Sequence, residues 1–303
     1  MINFYDTQNG STVGLIGAGL MGTACARRMM HAGMKVLAYD VDEAKRAAIA
    51  AMGADTAVAI GEIAARCAVI VLAVFDTTQV EQVVEGEGGV LETMARDRAP
   101  PIVVCTSTCD PQRLAALAAR IAPRGGRLLE VPISGTSRQV AEGHGVGLIG
   151  GERALMAQAG AVLDAICPRR HHLGAVGNGS RAKLAINLIL GLNRAALAEG
   201  LVFAERLGLA RAAFLEVARG SAAYSQVMDI KGPLMARREY RAPSSRVDQS
   251  LKDFRLMLEQ ARAAGQELPF ATVYARLLED CVRCGEGDWD NAAIAEAIAR
   301  RTA

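Results

Sequence analysis

The sequence predicts an α/β domain with a parallel sheet, followed by an all-α domain that a long helix joins to it. The first half alternates short apolar runs with amphipathic stretches, a pattern typical of βαβ units around a buried parallel sheet. After about residue 150 the strand pattern fades and helical periodicities remain. The 303 residues are 51% hydrophobic but only 4% aromatic, which suits close packing of small aliphatic side chains.

Each element of the first half follows from this alternation. Continuous apolar runs predict six strands, at 12–17, 34–39, 69–74, 102–106, 128–131 and 146–149. Amphipathic patterns between and after them predict helices, most clearly at 20–31, 41–52 and 152–166. Gly33 lies two residues after the first of these helices and is expected to end it.

The second half contains helical patterns only. They are predicted at 180–207, 211–218, 225–237, 248–264, 271–281 and 292–299. The first is apolar nearly all round between Leu184 and Leu192, so we expect it to be buried on several sides. The glycine-rich stretch 174–179 precedes it and marks a junction, which predicts domains at 1–176 and 177–303.

Composition excludes several classes of protein. Acids and bases nearly cancel, with a net charge of +2, which disfavours a nucleic-acid partner. A run of about 18 apolar residues is lacking, so no membrane span is expected. Residues 1–11 are polar and do not resemble a secretory signal. Seven scattered cysteines, an odd number, predict free thiols in a reducing compartment, so we expect a cytoplasmic protein.

Metal-ligand patterns are weak in this chain. Cys281 and Cys284 form an isolated CxxC pair without the second pair that a structural zinc site needs. His171 and His172 are adjacent and lack a third ligand at helical spacing, so a surface pair at a strand end is favoured. We therefore expect structural thiols and no metal site.

A GxGxxG pattern opens the first predicted helix directly after the first strand. It is formed by Gly17, Ala18, Gly19, Leu20, Met21 and Gly22. In such a pattern the first glycine makes a tight turn, the second admits a pyrophosphate close to the backbone, and the third allows close packing of helix and strand. The helix N-terminus then faces the phosphates. The pattern predicts a Rossmann-type dinucleotide-binding domain.

Asp40 ends the second predicted strand, where dinucleotide-binding domains carry an acidic residue. Its carboxylate is suited to accept hydrogen bonds from the adenosine ribose and to repel a 2′-phosphate. Val41 offers no positive charge for such a phosphate, so NAD is favoured over NADP. Lys45 and Arg46 lie close enough in sequence to keep NADP open.

Four signatures follow one another along nearly the whole chain. They are GLIGAGLMG (14–22), EVPISGT (130–136), GNGSRAKLAIN (177–187) and the pair Lys252-Asp253 ahead of Leu256. In this order and at these spacings they resemble the β-hydroxyacid dehydrogenases, the family of 3-hydroxyisobutyrate dehydrogenase and tartronate semialdehyde reductase. The resemblance implies an NAD-dependent oxidoreductase that interconverts a small anionic β-hydroxy acid and its semialdehyde or keto acid. It also implies a homodimer or homotetramer.

Lys183 and Asn187 are the predicted catalytic residues. They are four positions apart and share one face of the long helix. An amine and an amide buried together are unfavourable unless they meet a ligand. The chain has only five lysines against 29 arginines, and only lysine can lose its proton. As general acid/base, Lys183 must do so well below its usual pKa of about 10.4; Asn187 would orient the substrate oxygen or the lysine.

Ser134 and Gly135 resemble the family's anchor for the substrate carboxylate. A hydroxyl and close backbone N–H groups are well suited to hold an oxyanion. Thr136 departs from the family pattern, which has a second glycine there, and we expect it to narrow the site or add a hydrogen bond. Arg138 follows either as a binder of a second anionic group or as a solvated loop residue.

The resemblance assigns four further residues to the cofactor. Lys252 matches a lysine near the nicotinamide, Thr108 matches a Ser-Thr pair at a strand end, and Val74 and Phe75 match backbone contacts. The family usually has proline where Phe75 stands. Ordinary strand-end packing stays open for Thr108 and Phe75.

Two other functions are open for this architecture. An imine reductase-like NAD(P)-dependent reductase usually lacks a lysine at the position of Lys183. A non-catalytic dinucleotide-binding scaffold would be expected to have lost Lys183 or Asn187, and both are present. A decarboxylase of larger sugar-acid phosphates would need a larger helical domain. The dehydrogenase interpretation is therefore favoured.

Overall fold

The computed structural model describes residues 12–97 and 99–301. Segment 1–11, expected not to be a secretory signal, lies outside the described residues. The chain divides into two compact units, Met1–Lys183 and Leu184–Ala303. This division lies inside the long helix, whereas the sequence predicts a domain boundary before it, at 176/177. The first turn of the helix belongs to the first unit because its backbone is bound there, as described below.

The first unit is built on a six-stranded parallel sheet in the order β3-β2-β1-β4-β5-β6. Its strands are β1 (Thr12–Ile16), β2 (Lys35–Tyr39), β3 (Asp55–Thr56), β4 (Val69–Leu72), β5 (Ile102–Cys105) and β6 (Arg127–Glu130). This is the strand order of the Rossmann fold, in which ligands bind beyond the carboxyl ends of the strands. The predicted parallel sheet is confirmed.

Both faces of this sheet are covered. In β4, Val69 and Val71 join one hydrophobic cluster, whereas Ile70 and Leu72 join the cluster on the opposite side. Successive side chains of a strand point to opposite faces, so a strand that is apolar at every position must be buried on both. The continuous apolar runs of the sequence have this physical cause.

Three further strands form a separate small sheet: β7 (Ile133–Ser134), β8 (Val146–Ile149) and β9 (Arg169–His172). β7 and β8 are antiparallel, and β8 and β9 are parallel. The sequence interpretation, which continues the main sheet through 146–149, is wrong in this respect. Pro132 follows β6 and has no N–H to continue its hydrogen-bond ladder, so the chain leaves the main sheet there.

Among the described residues, nine helices cover the sheets of the first unit up to the long helix. They are α1 (Leu20–His31), α2 (Glu43–Ala51), α3 (Ile60–Arg66), α4 (Thr77–Glu85), α5 (Val90–Thr93), α6 (Pro111–Ile121), α7 (Ser137–Ala141), α8 (Arg153–Gln158) and α9 (Gly160–Ile166), with a 3₁₀ turn at Ala122–Arg124. The single helix predicted at 152–166 is two helices. Ala159 leaves helical geometry between them, with φ −85° and ψ 7°, directly before Gly160, a poor helix former.

The long helix α10 (Asn178–Arg206) is confirmed, but its predicted burial on several sides is wrong for the isolated chain. Within the stretch 184–192, Ile189 is 61% exposed, and Ala185 is exposed as well. Among the described residues, only this helix is long and apolar enough to cross a membrane, with a window of mean hydropathy 1.4 that is 28% buried. The sequence predicts no membrane span, and length and apolar composition alone do not distinguish a membrane span from a helix packed inside a protein.

In the second unit, the described residues form α-helices and one 3₁₀ turn, with no strand among them. After α10 they are α11 (Arg211–Arg219), α12 (Gln226–Arg237), α13 (Val247–Ala263), α14 (Pro269–Arg283), a 3₁₀ turn at Asn291–Ala293 and α15 (Ile294–Ala299). Phe254 and Tyr274 pack edge to face, with ring centroids 4.6 Å apart. Gly191 of α10 contacts the same pair, and a Cβ there would overlap the Phe254 ring. The predicted all-α half is confirmed.

A buried ion pair ties the end of this unit to α12. The Lys231 ammonium lies 2.7 Å from one carboxylate oxygen of Asp290, and both residues are buried. Asp290 also accepts the backbone N–H groups of Ser244 and Ala292, each at 2.9 Å. Burial alone would raise the pKa of Asp290, but the charge of Lys231 and these hydrogen bonds outweigh it and lower the pKa.

We predict that Asp290→Asn lowers the free energy of unfolding at pH 7 by about 3–5 kcal/mol, because it leaves the Lys231 ammonium buried without its counter-charge. Denaturant unfolding followed by the fluorescence of Trp289, the chain's one tryptophan, measures this directly. The Asp290 carboxylate stabilises the fold above the unfolded-state pKa of about 3.9. Its contribution is lost as the pH falls through the lower folded-state pKa. The difference between the two proteins should therefore shrink below about pH 4.

Glu279→Gln is the matched control. Glu279 pairs with Arg255 at 2.9 Å in the same unit, but both side chains are exposed. Such pairs contribute about 0–1 kcal/mol. An equal loss of stability in both variants would contradict the assignment of the buried pair.

Candidate functional site

The glycines of the GxGxxG loop have distinct steric roles. Gly17 adopts φ +96°, and a Cβ there would overlap the carbonyl of Ala73. A Cβ on Gly22 would overlap the carbonyl oxygen of Gly17. Nothing lies within 4 Å of the position that a Cβ on Gly19 would take. The loop is therefore tight at its two ends and open in its middle, as a cradle for a ligand requires.

Helix α1 begins directly on this loop. Gly19 is its N-cap residue and provides no side-chain cap, and the first turn contains no acid. Leu20 is exposed, Met21 is half-buried and Ala18 is buried. Backbone N–H groups at an uncapped helix N-terminus favour an anion, so this end of α1 fits a pyrophosphate.

Asp40 lies beside the loop and is buried. One carboxylate oxygen accepts the N–H of Ala18 at 2.7 Å, and the other accepts the N–H of Asp42 at 2.9 Å. Lys45 lies 3.9 Å from the carboxylate, and Arg46 donates to the Asp40 carbonyl. Asp40 thus holds the glycine loop from the neighbouring strand, a role that sequence reasoning missed. Each oxygen keeps a second lone pair for a further donor.

The loops after β4 and β5 are bound to each other. Ser107 donates to the carbonyl of Val74 at 2.7 Å, and Thr106 donates to the carbonyl of Leu72 at 3.0 Å. Phe75 is exposed and its N–H donates to Gln79. Thr108 directly follows Ser107 in the loop after β5, and its side chain is half-buried. Val74, Phe75 and Thr108 therefore lie at the carboxyl edge of the sheet, where the resemblance places them.

The predicted substrate anchor lies in a tight turn at the end of β7. Gly135 adopts φ +140°, a conformation that favours glycine. Thr136 caps α7: its hydroxyl accepts the N–H of Gln139 at 3.2 Å, and the Gln139 side chain accepts the N–H of Thr136 at 2.9 Å. Its departure from glycine thus has a local structural reason, a capping box. Arg138 is exposed and paired with Glu142 at 3.1 Å, which favours the solvated alternative.

Lys183 is buried and reaches this same segment. Its ammonium donates to the carbonyl of Ile133 at 2.7 Å. Ile133 directly precedes Ser134 and Gly135, so the lysine amine lies next to the candidate anion anchor within the first unit. A buried amine beside an oxyanion anchor can exchange a proton with a bound hydroxyl or carbonyl oxygen.

Asn187 lies one turn farther along α10, in the second unit. Its amide nitrogen donates to Asp253 at 3.0 Å. The other carboxylate oxygen of Asp253 lies 2.9 Å from the ammonium of Lys252. Asp253 therefore holds two predicted site residues, Asn187 and Lys252, with one carboxylate.

Sequence reasoning missed two carboxylates that hold site residues. Asp253 was part of the quoted Lys252-Asp253 pair, but it received no role. Glu130 was part of the EVPISGT signature, and it is fully buried with its carboxylate on the backbone at the start of α10. An acid at the end of an apolar strand run is the signal that could have identified it.

Two family models match the chain in succession. Residues 12–174 match the NAD-binding domain of 6-phosphogluconate dehydrogenase, and residues 177–298 match the NAD-binding domain of NADP-dependent 3-hydroxyisobutyrate dehydrogenase. Together they cover both compact units.

Curated relatives match over nearly the full length. The chain is 29% identical to glyoxylate/succinic semialdehyde reductase 1 of Arabidopsis thaliana, over 94% of this chain and 98% of that protein. It is 26% identical to 2-hydroxy-3-oxopropionate reductase of Escherichia coli, over 94% and 96%. Among solved structures, 3-hydroxyisobutyrate dehydrogenase of Salmonella typhimurium has a TM-score of 0.85 at 26% identity, over 94% of this chain and 99% of that one.

We predict that two alanine substitutions in the glycine loop affect different properties, one the stability and the other the dinucleotide affinity. Gly22→Ala should lower stability by about 1–3 kcal/mol, because its Cβ overlaps backbone that cannot rotate away. Gly19→Ala should leave the melting temperature unchanged but weaken dinucleotide binding, because its Cβ enters open space at the N-terminus of α1. Thermal unfolding and titration with NADH measure the two effects. Unchanged dinucleotide affinity in Gly19→Ala would contradict the binding role of the loop.

Proposed function

Because the chain belongs to the β-hydroxyacid dehydrogenase family, we propose that it is an NAD-dependent dehydrogenase of a small β-hydroxy acid. It would interconvert that acid and its semialdehyde or keto acid. The observation that carries the proposal is the hydrogen bond from Lys183 to the carbonyl of Ile133, the residue that directly precedes Ser134 and Gly135. Proton transfer and anion binding are thus available within one segment.

Lys183 moves the proton in this reaction. When the alcohol is oxidised, the neutral amine of Lys183 accepts the hydroxyl proton, and the ammonium returns it in reduction. A bound nicotinamide would supply the acceptor for the hydride, which leaves the carbon that bears this hydroxyl. The carbonyl of Ile133 accepts a hydrogen bond from the lysine in either state, so it keeps the side chain oriented through both.

Ser134 and Gly135 would hold the substrate carboxylate through the serine hydroxyl and backbone N–H groups. Asn187 would present its amide oxygen to the reacting hydroxyl, and the N–H that it donates to Asp253 would fix the orientation of the amide. Lys252, held by the same carboxylate, would lie near the nicotinamide. These roles require that each polar group be oriented before substrate binds.

A preference for NAD is supported by Asp40 and Val41. The Asp40 carboxylate is held in place by two backbone N–H groups, and Val41 is exposed beside it. A 2′-phosphate at that position would meet a fixed negative charge. Lys45, at 3.9 Å from Asp40, is partly neutralised by that carboxylate.

The relatives named above are hydroxy-acid and semialdehyde dehydrogenases or reductases. They favour the dehydrogenase over the imine reductase-like and non-catalytic alternatives. A homodimer or homotetramer is supported by the exposed apolar residues of α10, including Ile189 and Phe203. A reducing, cytoplasmic location is supported by the seven cysteines, all of which are free thiols.

We predict that Lys183→Arg and Lys183→Met each lower kcat by on the order of 10²-fold or more, because neither side chain can accept the hydroxyl proton. Turnover should be measured by NAD reduction with a panel of 2- and 3-hydroxy acids. The affinity for NADH should stay unchanged. This measurement also serves as the control that each variant is folded. Lys35→Arg, an exposed lysine at the start of β2, is the control. Normal turnover in both Lys183 variants would exclude Lys183 as the general base.

We predict that Asp40→Ser combined with Val41→Arg moves the preference toward NADP. The change removes a repulsive charge and adds a charge-assisted hydrogen bond, which contributes about 1.5–3 kcal/mol, or roughly 10- to 100-fold. The ratio of kcat/KM for the two cofactors measures the shift. Val41→Arg alone, which keeps Asp40, should shift the ratio less. An unchanged ratio in the double variant would mean that the ribose 2′ position is recognised elsewhere.

A further inference from the structure

Glu130 is a fully buried carboxylate at the carboxyl end of β6. Its two oxygens accept three backbone N–H groups at the start of α10, from Gly177 at 2.7 Å, Gly179 at 3.1 Å and Ser180 at 2.7 Å. These N–H groups have no partner within the helix, because the first turn of any α-helix lacks preceding carbonyls. Glu130 therefore fills the place of an N-cap from a distant strand.

The surroundings of this carboxylate are shaped to admit it. A Cβ on Gly150 would overlap a carboxylate oxygen of Glu130, and a Cβ on Gly179 would lie 3.0 Å from its carboxyl carbon. The backbone N–H and C=O of Glu130 are paired with Gly150 as well. Two glycines on two separate segments thus leave room for one carboxylate, so the backbone around Glu130 is specifically shaped to accommodate it.

A second contact ties the same two segments together. Ile133, three residues after Glu130, accepts the Lys183 ammonium, and Lys183 lies three residues after Ser180. The first turn of α10 is held at its backbone by Glu130, and the lysine one turn along is held at its tip by Ile133. Moving the start of the helix would therefore move the amine relative to Ser134 and Gly135.

We propose that Glu130 is a positioning residue for the reaction, which sets the place of Lys183 by capping the start of α10. This inference rests on the role of Lys183 in the proposed function. Glu130 itself touches neither substrate nor cofactor in this proposal. Its carboxylate acts through the helix backbone, and the length of its side chain sets the position of the first turn of α10.

The charge of Glu130 has a second effect on its neighbours. The pKa of Cys105 in the adjacent strand is raised by its hydrogen bond with Cys109, by burial, by the charge of Cys109 and, in smaller part, by Glu130. A charged acceptor also forms stronger hydrogen bonds with the N–H groups at the start of α10 than a neutral one does. Removing the charge should therefore weaken this cap, whereas shortening the side chain should shift the start of the helix.

Two variants separate reach from charge. Glu130→Asp keeps the charge but loses one methylene of reach, and Glu130→Gln keeps the length but replaces an acceptor oxygen by a donor. We expect kcat to fall by roughly 10- to 100-fold in both, since small displacements of a reacting group can cost about 10²-fold. KM for the hydroxy acid and the dissociation constant for NADH should stay within about threefold of the wild type, because Ser134, Gly135 and the glycine loop are untouched.

Asp290→Asn is the matched control. Asp290 is also a fully buried carboxylate that accepts backbone N–H groups, but it has no place in the proposed site. Compared at equal fractions of folded protein, this variant should keep kcat. The inference is overturned if kcat in folded Glu130→Gln lies within threefold of that control, or if the loss falls entirely on KM.

Lysine NMR keeps the inference separable from the proposed function. With [ε-¹³C]lysine the chain gives five side-chain signals, and Lys183→Arg identifies one of them. Glu130→Gln and Glu130→Asp should each shift the Lys183 signal, because the amine moves relative to the Ile133 carbonyl, whereas Asp290→Asn should not. If the wild type oxidises no hydroxy acid, the proposed function fails, and this spectrum alone tests the inference. An unchanged Lys183 signal in both Glu130 variants would then overturn it.

Discussion

The contact between the Glu130 carboxylate and the start of α10 is the interaction on which the geometry of the candidate site in the first unit depends. A buried carboxylate and three buried N–H groups are each unfavourable alone, and together they satisfy one another. The chain that leaves Glu130 continues into Ile133, Ser134 and Gly135. The end of the sheet, the start of the helix and the candidate anion anchor are therefore parts of one hydrogen-bonded arrangement.

The same device recurs elsewhere in the described chain. Asp40 accepts the backbone N–H of Ala18 in the glycine loop, and Asp290 accepts those of Ser244 and Ala292. In each case a carboxylate on one segment supplies acceptors that another segment cannot provide for itself. Backbone N–H groups that lack a local acceptor, such as those at a helix start or in a glycine turn, are held in a defined position by a charged partner. Asp253 applies the same principle to side chains, since it holds both Asn187 and Lys252.

Local patterns predicted the elements well because their causes are local. A strand buried on both faces must be apolar at every position, and the runs at β4 and β5 show this directly. Gly22 is required because a Cβ there would overlap the carbonyl oxygen of Gly17, five residues earlier. The failures also have physical reasons. The run at 146–149 has the apolar character of a strand, but nothing in its composition states which sheet it joins. The break at Ala159 falls in a stretch whose apolar pattern continues across it.

The sequence by itself determined the fold class, the order of the elements, the dinucleotide loop and the pair Lys183 and Asn187 on one helix face. These depend on periodicity and on spacings of a few residues. Only the tertiary structure decided the partners of those groups. Glu130 meets Ser180 across 50 positions, and Asp253 meets Asn187 across 66. A carboxylate's identity in the sequence does not state which distant N–H or amide it will accept, because that choice is made by the packing of whole segments.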